Sequence, residues 1–484
     1  MGFPSVYPTG TTIYNPDKCW NGYTVFPARE VGAALIDMNG QVLQLWQGLN
    51  GFPNKLLPGG YIMSSTGLRS SKHGYQDHTD LVQVDWDGKI IWRFDHHELI
   101  EDPDEEPRWM ARQHHDFQRE GNPVGYFIPG MEPKVSEGNT LILCHRNLHN
   151  SKISDKLLLD DVFLEVDWEG NIVWEWVCSE HFDELEFSEV ALNAMARNPN
   201  FHNIGVGFGD WAHINSLSLL GPNRWHKSGD TRFHPDNIVF SSRQSNIIAI
   251  IDKKSGNVVW KIGPDYDVTR ELRDLGWIIG PHHAHIIPKG LPGEGNLMLF
   301  DNGGFAGYGN PNPGSTSGLN YALRDYSRVL EIDPISLEVI WQYTPKEAEC
   351  APPANAYQFY SPLVSSAQRL PNGNTMITVG CGGTMIEITP EHELVWEYIS
   401  PYFSIKRHTN LVYRAYRVPY DWVPQLDTPE EVPVERFKVS EYSLNGRPPK
   451  EVKRLTTIEG LKSSEDDAQL CVLPDDNSAE KREE

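Results

Sequence analysis

Six segments of this chain repeat one pattern: a hydrophobic strand, a short turn, and a second strand whose key residue is Trp. They are AALIDMNGQVLQLW ending at Trp46, LVQVDWDGKIIW at Trp92, FLEVDWEGNIVW at Trp174, IAIIDKKSGNVVW at Trp260, VLEIDPISLEVIW at Trp341 and MIEITPEHELVW at Trp396. Strand pairs of this kind cannot bury their own faces, so evenly spaced copies have to stack around a common axis. The pattern predicts an all-β fold, a six-bladed β-propeller. Ahead of the Trp strands runs a second element, often opened by a Gly-Asn turn: GGYIMSS, GNTLILCHRN, DNIVFSSRQ, GNLMLFDNGG and GNTMITVGCGG. Upstream again lies a heptad in six versions: FPNKLLP (52–58), HHDFQRE (114–120), HINSLSL (213–219), HHAHIIP (282–288), SSAQRLP (365–371) and YRAYRVP (413–419). The last heptad has no Trp strand after it and the first Trp strand has no heptad before it. N- and C-terminal strands are therefore expected to complete one blade together, closing the ring without a bare edge. This reading divides the chain into an N-terminal extension (1–29), a propeller with inter-blade insertions (30–426) and a polar C-terminal tail (427–484) expected to be partly disordered.

A formal charge of −24 argues against nucleic acid and anionic membranes as partners, since both reward basic surfaces. The N-terminus has no basic segment followed by an apolar core, and the six cysteines show neither CxxC pairs nor framework spacing. A cytoplasmic location with reduced thiols is the expectation. The segment 175–200 reads as an inter-blade insertion, a candidate lid over one channel mouth.

The first strand of a propeller blade lines the central channel, so the heptads should converge there. Their first column reads Phe52, His114, His213, His282, Ser365 and Tyr413; the second adds His115 and His283, and the fourth adds His285. Imidazoles gathered in a partly dry site suit general acid–base work, nucleophilic attack, anion binding or metal ligation. Two readings stay open at this point. In one, the channel histidines act as general acid or base, nucleophile or anion donor towards a small molecule without a cofactor. In the other, His114, His213 and His282 ligate a transition metal (Zn, Fe, Ni or Cu) in a lyase, hydrolase or oxidoreductase. Oligomeric state is not legible.

Several segments resemble the arylsulfotransferase family: DWAHINS (210–216), DNIVFSSRQSNIIAIIDKKSGNVVWKIG (236–263), the HHA core at 282–284 with FDNGG (300–304), and FYSPLVSSAQRLPNGNTMI (359–377). The resemblance implies a six-bladed propeller that moves a sulfuryl group from a phenolic sulfate to another phenol without a nucleotide donor. It assigns catalytic roles to His213, His282 and Arg243, with His114 a further candidate. His115, His283, His285, Asn302 and Tyr413 are the candidate substrate-binding residues. Two family features are absent from this chain: ANAYQFYSPLVSS contains no His where a sulfurylated His is expected, and GGFAGYGN contains no Arg after FDNG.

Overall fold

Six antiparallel sheets surround one axis in the computed structural model, which describes residues 8–73, 76–199, 209–304, 306–308, 322–350, 355–406, 408–436, 454–456 and 459. From the axis outward, the first blade runs Tyr416–Val418, Tyr23–Ala28, Gly32–Ile36 and Val42–Gln47. The inner strands of the next five blades are Lys55–Leu57, Gln113–Arg119, Ile214–Leu219, His282–Ile286 and Ser366–Arg369. The ring closes as expected, with Val418 opposite Tyr23 and Tyr416 opposite Val25.

A single interaction explains the Trp repeat. In five blades an outer-strand indole N–H donates to a turn carbonyl of the following blade: Trp92 to Trp168 (2.9 Å), Trp174 to Lys253 (3.1 Å), Trp260 to Pro334 (2.9 Å), Trp341 to Pro390 (3.0 Å) and Trp396 to Met38 (2.8 Å). In the first blade that office falls to Gln44, whose Nε2 donates to the Trp86 carbonyl at 3.0 Å. Trp46 lies two residues beyond the place the repeat gave it, because the ladder sets Gln44 opposite Leu35. Six straps thus link six blades, and the flanking apolar faces provide most of the burial.

Two domain boundaries differ from expectation. Tyr23–Ala28 is a blade strand, and Gly10–Tyr14 adds a fifth strand outside the sixth blade, with Tyr14 opposite Trp396. The strands Gly10–Tyr14 and Tyr23–Ala28 are therefore part of the propeller; they escaped the repeat because they precede its first turn. The start of the tail also packs. Val434 and Tyr14 exchange backbone hydrogen bonds (2.8 and 2.9 Å), and the Glu431 carboxylate accepts from Asn21 and Tyr420. Apart from 454–456 and 459, the tail beyond 436 lies outside the described residues. Within 175–200, the turns of Cys178–Leu185 and the helix Glu189–Arg197, capped by Ser188, pack through Phe182, Ala191 and Met195 into the cluster that holds Trp211.

Candidate active site

Four consecutive inner strands carry, just before or soon after their first residue, a residue in the left-handed region: His115 (φ 53°), His213 (φ 51°), His283 (φ 54°) and Ser365 (φ 88°). Non-glycine residues reach it at a cost on the order of 1–2 kcal/mol each. Three of these entries coincide with bulges, where the ladder skips between Gln113 and Phe117, Ile214 and Ser216, and His282 and His285. Bulges re-aim side chains and break the period-2 rule.

They also shift the register. Through the ladders, Trp174 leads by way of Glu165 and Leu141 to Gln118; Trp260 leads through Ile250 and Val239 to Ser218; Trp341 leads through Glu331 and Met298 to His285. Gln118, Ser218 and His285 form one row. The heptads beginning at His114 and His213 are consequently one and two residues out of step with the one at His282. The expected equivalence of those three histidines is corrected: bulges insert residues that no hydrophobic pattern records.

The cluster divides into three groups. In the first, His282 Nδ1 meets two acceptors, Asn302 Oδ1 at 2.6 Å and the Gly280 carbonyl at 3.0 Å, so this nitrogen carries the proton. Burial, then the nearby Arg243 guanidinium, hold its pKa well below the usual imidazole value. Asn302 donates its own Nδ2 to the carbonyls of Ser361 and Val364, tying His282 to the loop after FYSP. It is thus more than a turn residue. The Arg243 N–H donates to the His213 carbonyl (3.1 Å), and His213 Nδ1 lies 2.6 Å from Asp210 Oδ2. His115 contacts His213 (ring centroids 4.8 Å), Phe52 (5.5 Å) and Tyr413 (5.7 Å). Burial, then His213, keep His115 neutral. Tyr413 Oη donates to the Asn215 carbonyl.

The second group belongs to the third blade. His114 stacks on His145 with ring centroids 3.5 Å apart, and its Nε2 lies 3.2 Å from Asp161 Oδ1. His145 is 1% exposed. Its signal was present: His145, Arg243 and Asn302 each stand six residues after the Asn of their turn, Asn139, Asn237 and Asn296. Burial, opposed by Asp77, brings His114 down to about 3; burial, opposed by His145, pushes the Asp161 carboxyl up to about 7. Among the described residues, these three are the group whose ligand atoms converge closely enough for one metal ion. Of the expected ligand set of His114, His213 and His282, only His114 belongs to that group; the Nδ1 atoms of the other two meet Asp210 and Asn302.

The third group plugs the axis. His283 and His285 sit side by side (4.6 Å), and His285 Nε2 accepts from Tyr126 Oη at 2.9 Å. They do not join His282, because the bulge turns them towards Tyr126 and Tyr416. Beside them Asp116 accepts from Lys55 (2.7 Å) and Arg414 (2.9 Å), all fully buried. Burial brings Lys55 down to about 8. Two outer grooves of about 340 and 290 Å³, one lined by Trp46 and Trp86 and the other by Trp176 and His181, do not touch any of these groups.

A family model described as arylsulfotransferase (ASST) matches residues 133–414, more than half of the chain. The chain belongs to the arylsulfotransferase family. The matched segment contains His145, Asp161, His213, Arg243, His282 and Asn302, whereas Asp77, His114 and His115 precede it. No curated protein matches this member of the family. Solved structures similar to it include a protein of unknown function from Bacteroides caccae (11% identity, 82% of this chain and 99% of that one, TM-score 0.42). Others are a europium-containing methanol dehydrogenase (10%, 78% and 77%, 0.35) and virginiamycin B lyase from Staphylococcus aureus (12%, 81% and 84%, 0.31). Likeness at that level says nothing about chemistry.

Proposed function

We propose that this protein is a nucleotide-independent, arylsulfotransferase-like enzyme that passes a sulfuryl group from an aryl sulfate to a phenolic acceptor at the His115–His213–His282–Arg243 end of the axis. The observation that carries this reading is the state of His282. With its proton fixed on Nδ1 by Asn302 and Gly280, Nε2 keeps its lone pair, and burial beside Arg243 keeps the ring neutral. Such a nitrogen can attack sulfur: the N–S bond forms as the S–O bond to the donor phenol breaks. The Arg243 guanidinium stabilises the negative sulfuryl oxygens. His213, oriented by Asp210, gives a proton to the departing phenoxide and takes one from the acceptor phenol, whose oxygen then claims the sulfuryl group and restores His282. Phe52 and Tyr413 beside His115 supply an aromatic wall. The five cysteines described are free thiols, which supports a reducing compartment. This leading reading needs no cofactor.

The test is sulfuryl transfer from p-nitrophenyl sulfate to phenol, followed by nitrophenolate release with metal-depleted protein. Acceptor-dependent release that His282→Ala abolishes supports the reading. Metal-depleted, folded protein that turns over no aryl sulfate overturns it.

A further inference from the structure

We propose that His114 Nε2, His145 Nε2 and Asp161 Oδ1 together form a binding site for one divalent transition-metal ion. The three side chains are at most 1% exposed, their ligand atoms all lie within 4.8 Å of one another, and none of the three atoms has a hydrogen-bond partner. His114 Nε2 and Asp161 Oδ1 are 3.2 Å apart, and His145 Nε2 and Asp161 Oδ1 3.9 Å. Ligands held about 2.1 Å from one ion stand about 3.0–3.6 Å apart at ordinary angles, so His145 need close on Asp161 by only a few tenths of an ångström; the two imidazoles are stacked at 15°, and one ring must also turn for both Nε2 lone pairs to meet the ion.

The surroundings orient each ligand. His145 Nδ1 donates to Asp77 Oδ1 at 2.6 Å, which leaves Nε2 bare, and Asp77 is itself held by Arg69 and Arg112, each at 3.0 Å. A carboxylate behind a ligating imidazole fixes its tautomer and raises its basicity. His114 Nδ1 faces His115 Nδ1 at 2.7 Å, and a proton on the His114 side again leaves Nε2 bare. Asp161 Oδ2 accepts from the Ile214 N–H at 2.9 Å, so Oδ1 is the oxygen left over.

A purely structural role for Asp161 does not account for the second oxygen. Asn246 holds the same ladder position in the next blade, four residues before Ile250 as Asp161 is before Glu165. It performs the same task with an amide: its Oδ1 accepts from the Gly280 N–H at 2.8 Å. Only in the third blade is that residue a carboxylate, and there its spare oxygen meets two bare imidazole nitrogens. Two imidazoles and one carboxylate suit Zn²⁺, Fe²⁺, Co²⁺ or Mn²⁺ and leave coordination positions for water or substrate.

The site stands on its own geometry, independent of the sulfuryl-transfer reading. The experiment is titration of chelator-treated full-length protein with Zn²⁺ and Co²⁺, read by metal content after desalting, Co²⁺ ligand-field absorption and melting temperature. One equivalent per chain is expected, with at least about a 100-fold loss of affinity in Asp161→Asn and about 10- to 100-fold in Asp77→Asn. The surface pair His226 and His234, with rings 4.8 Å apart, is the competing site. Binding that survives Asp161→Asn and disappears in His226→Ala overturns the assignment, as does wild-type protein that retains no metal. Should Asp161→Asn fail to fold, X-ray absorption of the Co²⁺ form decides: two imidazoles with oxygen ligands uphold the site, any other shell rejects it.

Discussion

The third and fourth blades share one backbone and use it for different chemistry. Six residues after the turn Asn, the third blade has His145 and the fourth Arg243; on or directly before the adjoining strand the third has Asp161 and the fourth Asn246. The fifth blade continues the series with Asn302 and Ser327. The strand residue always latches the entry to the next inner strand: Asp161 holds Ile214, Asn246 holds Gly280, and Ser327 accepts from the Ser361 N–H. What varies is the group left facing the axis. A propeller can therefore place a ligand pair, a cation or an orienting amide at one address by side-chain choice alone, because the latch fixes the backbone first.

The comparison breaks most visibly at the transfer site. His282→Ala should lower kcat for aryl-sulfate transfer on the order of 10³-fold or more while circular dichroism stays native. Little loss would mean that the fourth and fifth blades are not where the chemistry occurs. Asp77→Asn attacks the third blade through stability. Burial pushes the Asp77 carboxyl up, but Arg112, His145 and Arg69 outweigh that and hold it far below the usual range. Weakening those pairs should cost about 3 kcal/mol in urea denaturation. A neutral result would show that the carboxylate is not the anchor of His145.

Arg243→Lys keeps the charge and removes the planar fork, and about a 10²-fold fall in kcat with little change in melting temperature is expected. Asp161→Asn sharpens the comparison from the other side. Since Asn246 shows that an amide suffices for the latch, metal-free Asp161→Asn should differ from wild type by less than about 1 kcal/mol in urea denaturation. A large loss would make the second oxygen structural.

The smallest effect is a pH dependence at the axial plug. Burial brings His285 down to about 4 from 6.5 and holds His283 well below it, so both are neutral when folded, whereas the unfolded chain takes up protons first. Their contribution is complete above pH 6.5 and is lost as the pH falls from there towards 4. His285→Gln should flatten that acid limb of the melting-temperature profile. An unchanged limb would assign the acid sensitivity elsewhere.

Much of the site could be found in the sequence once the turn Asn is used as origin, since the same offset reaches His145, Arg243 and Asn302. Resemblance pointed to His213 and His282, and the structure adds Asn302 as the residue that orients one of them. The heptad columns misled for His114 and His213 because a bulge adds a residue that leaves no mark in hydrophobic periodicity, so counting along the chain drifts from the ladder.

By itself the sequence determined the all-β class, the count of six blades and the closure by both termini, because each depends on a local pattern repeated at a steady interval. Only the tertiary structure decided which groups meet. Asp161 reaches His114 from two strands away, Asp77 orients His145 from the preceding blade, and Tyr126 enters the axis to hold His285. These pairs are separated by tens to more than a hundred residues, and no local periodicity records such contacts. They follow from ladder register, bulges and blade stacking, which fix distance and direction only when the ring is closed.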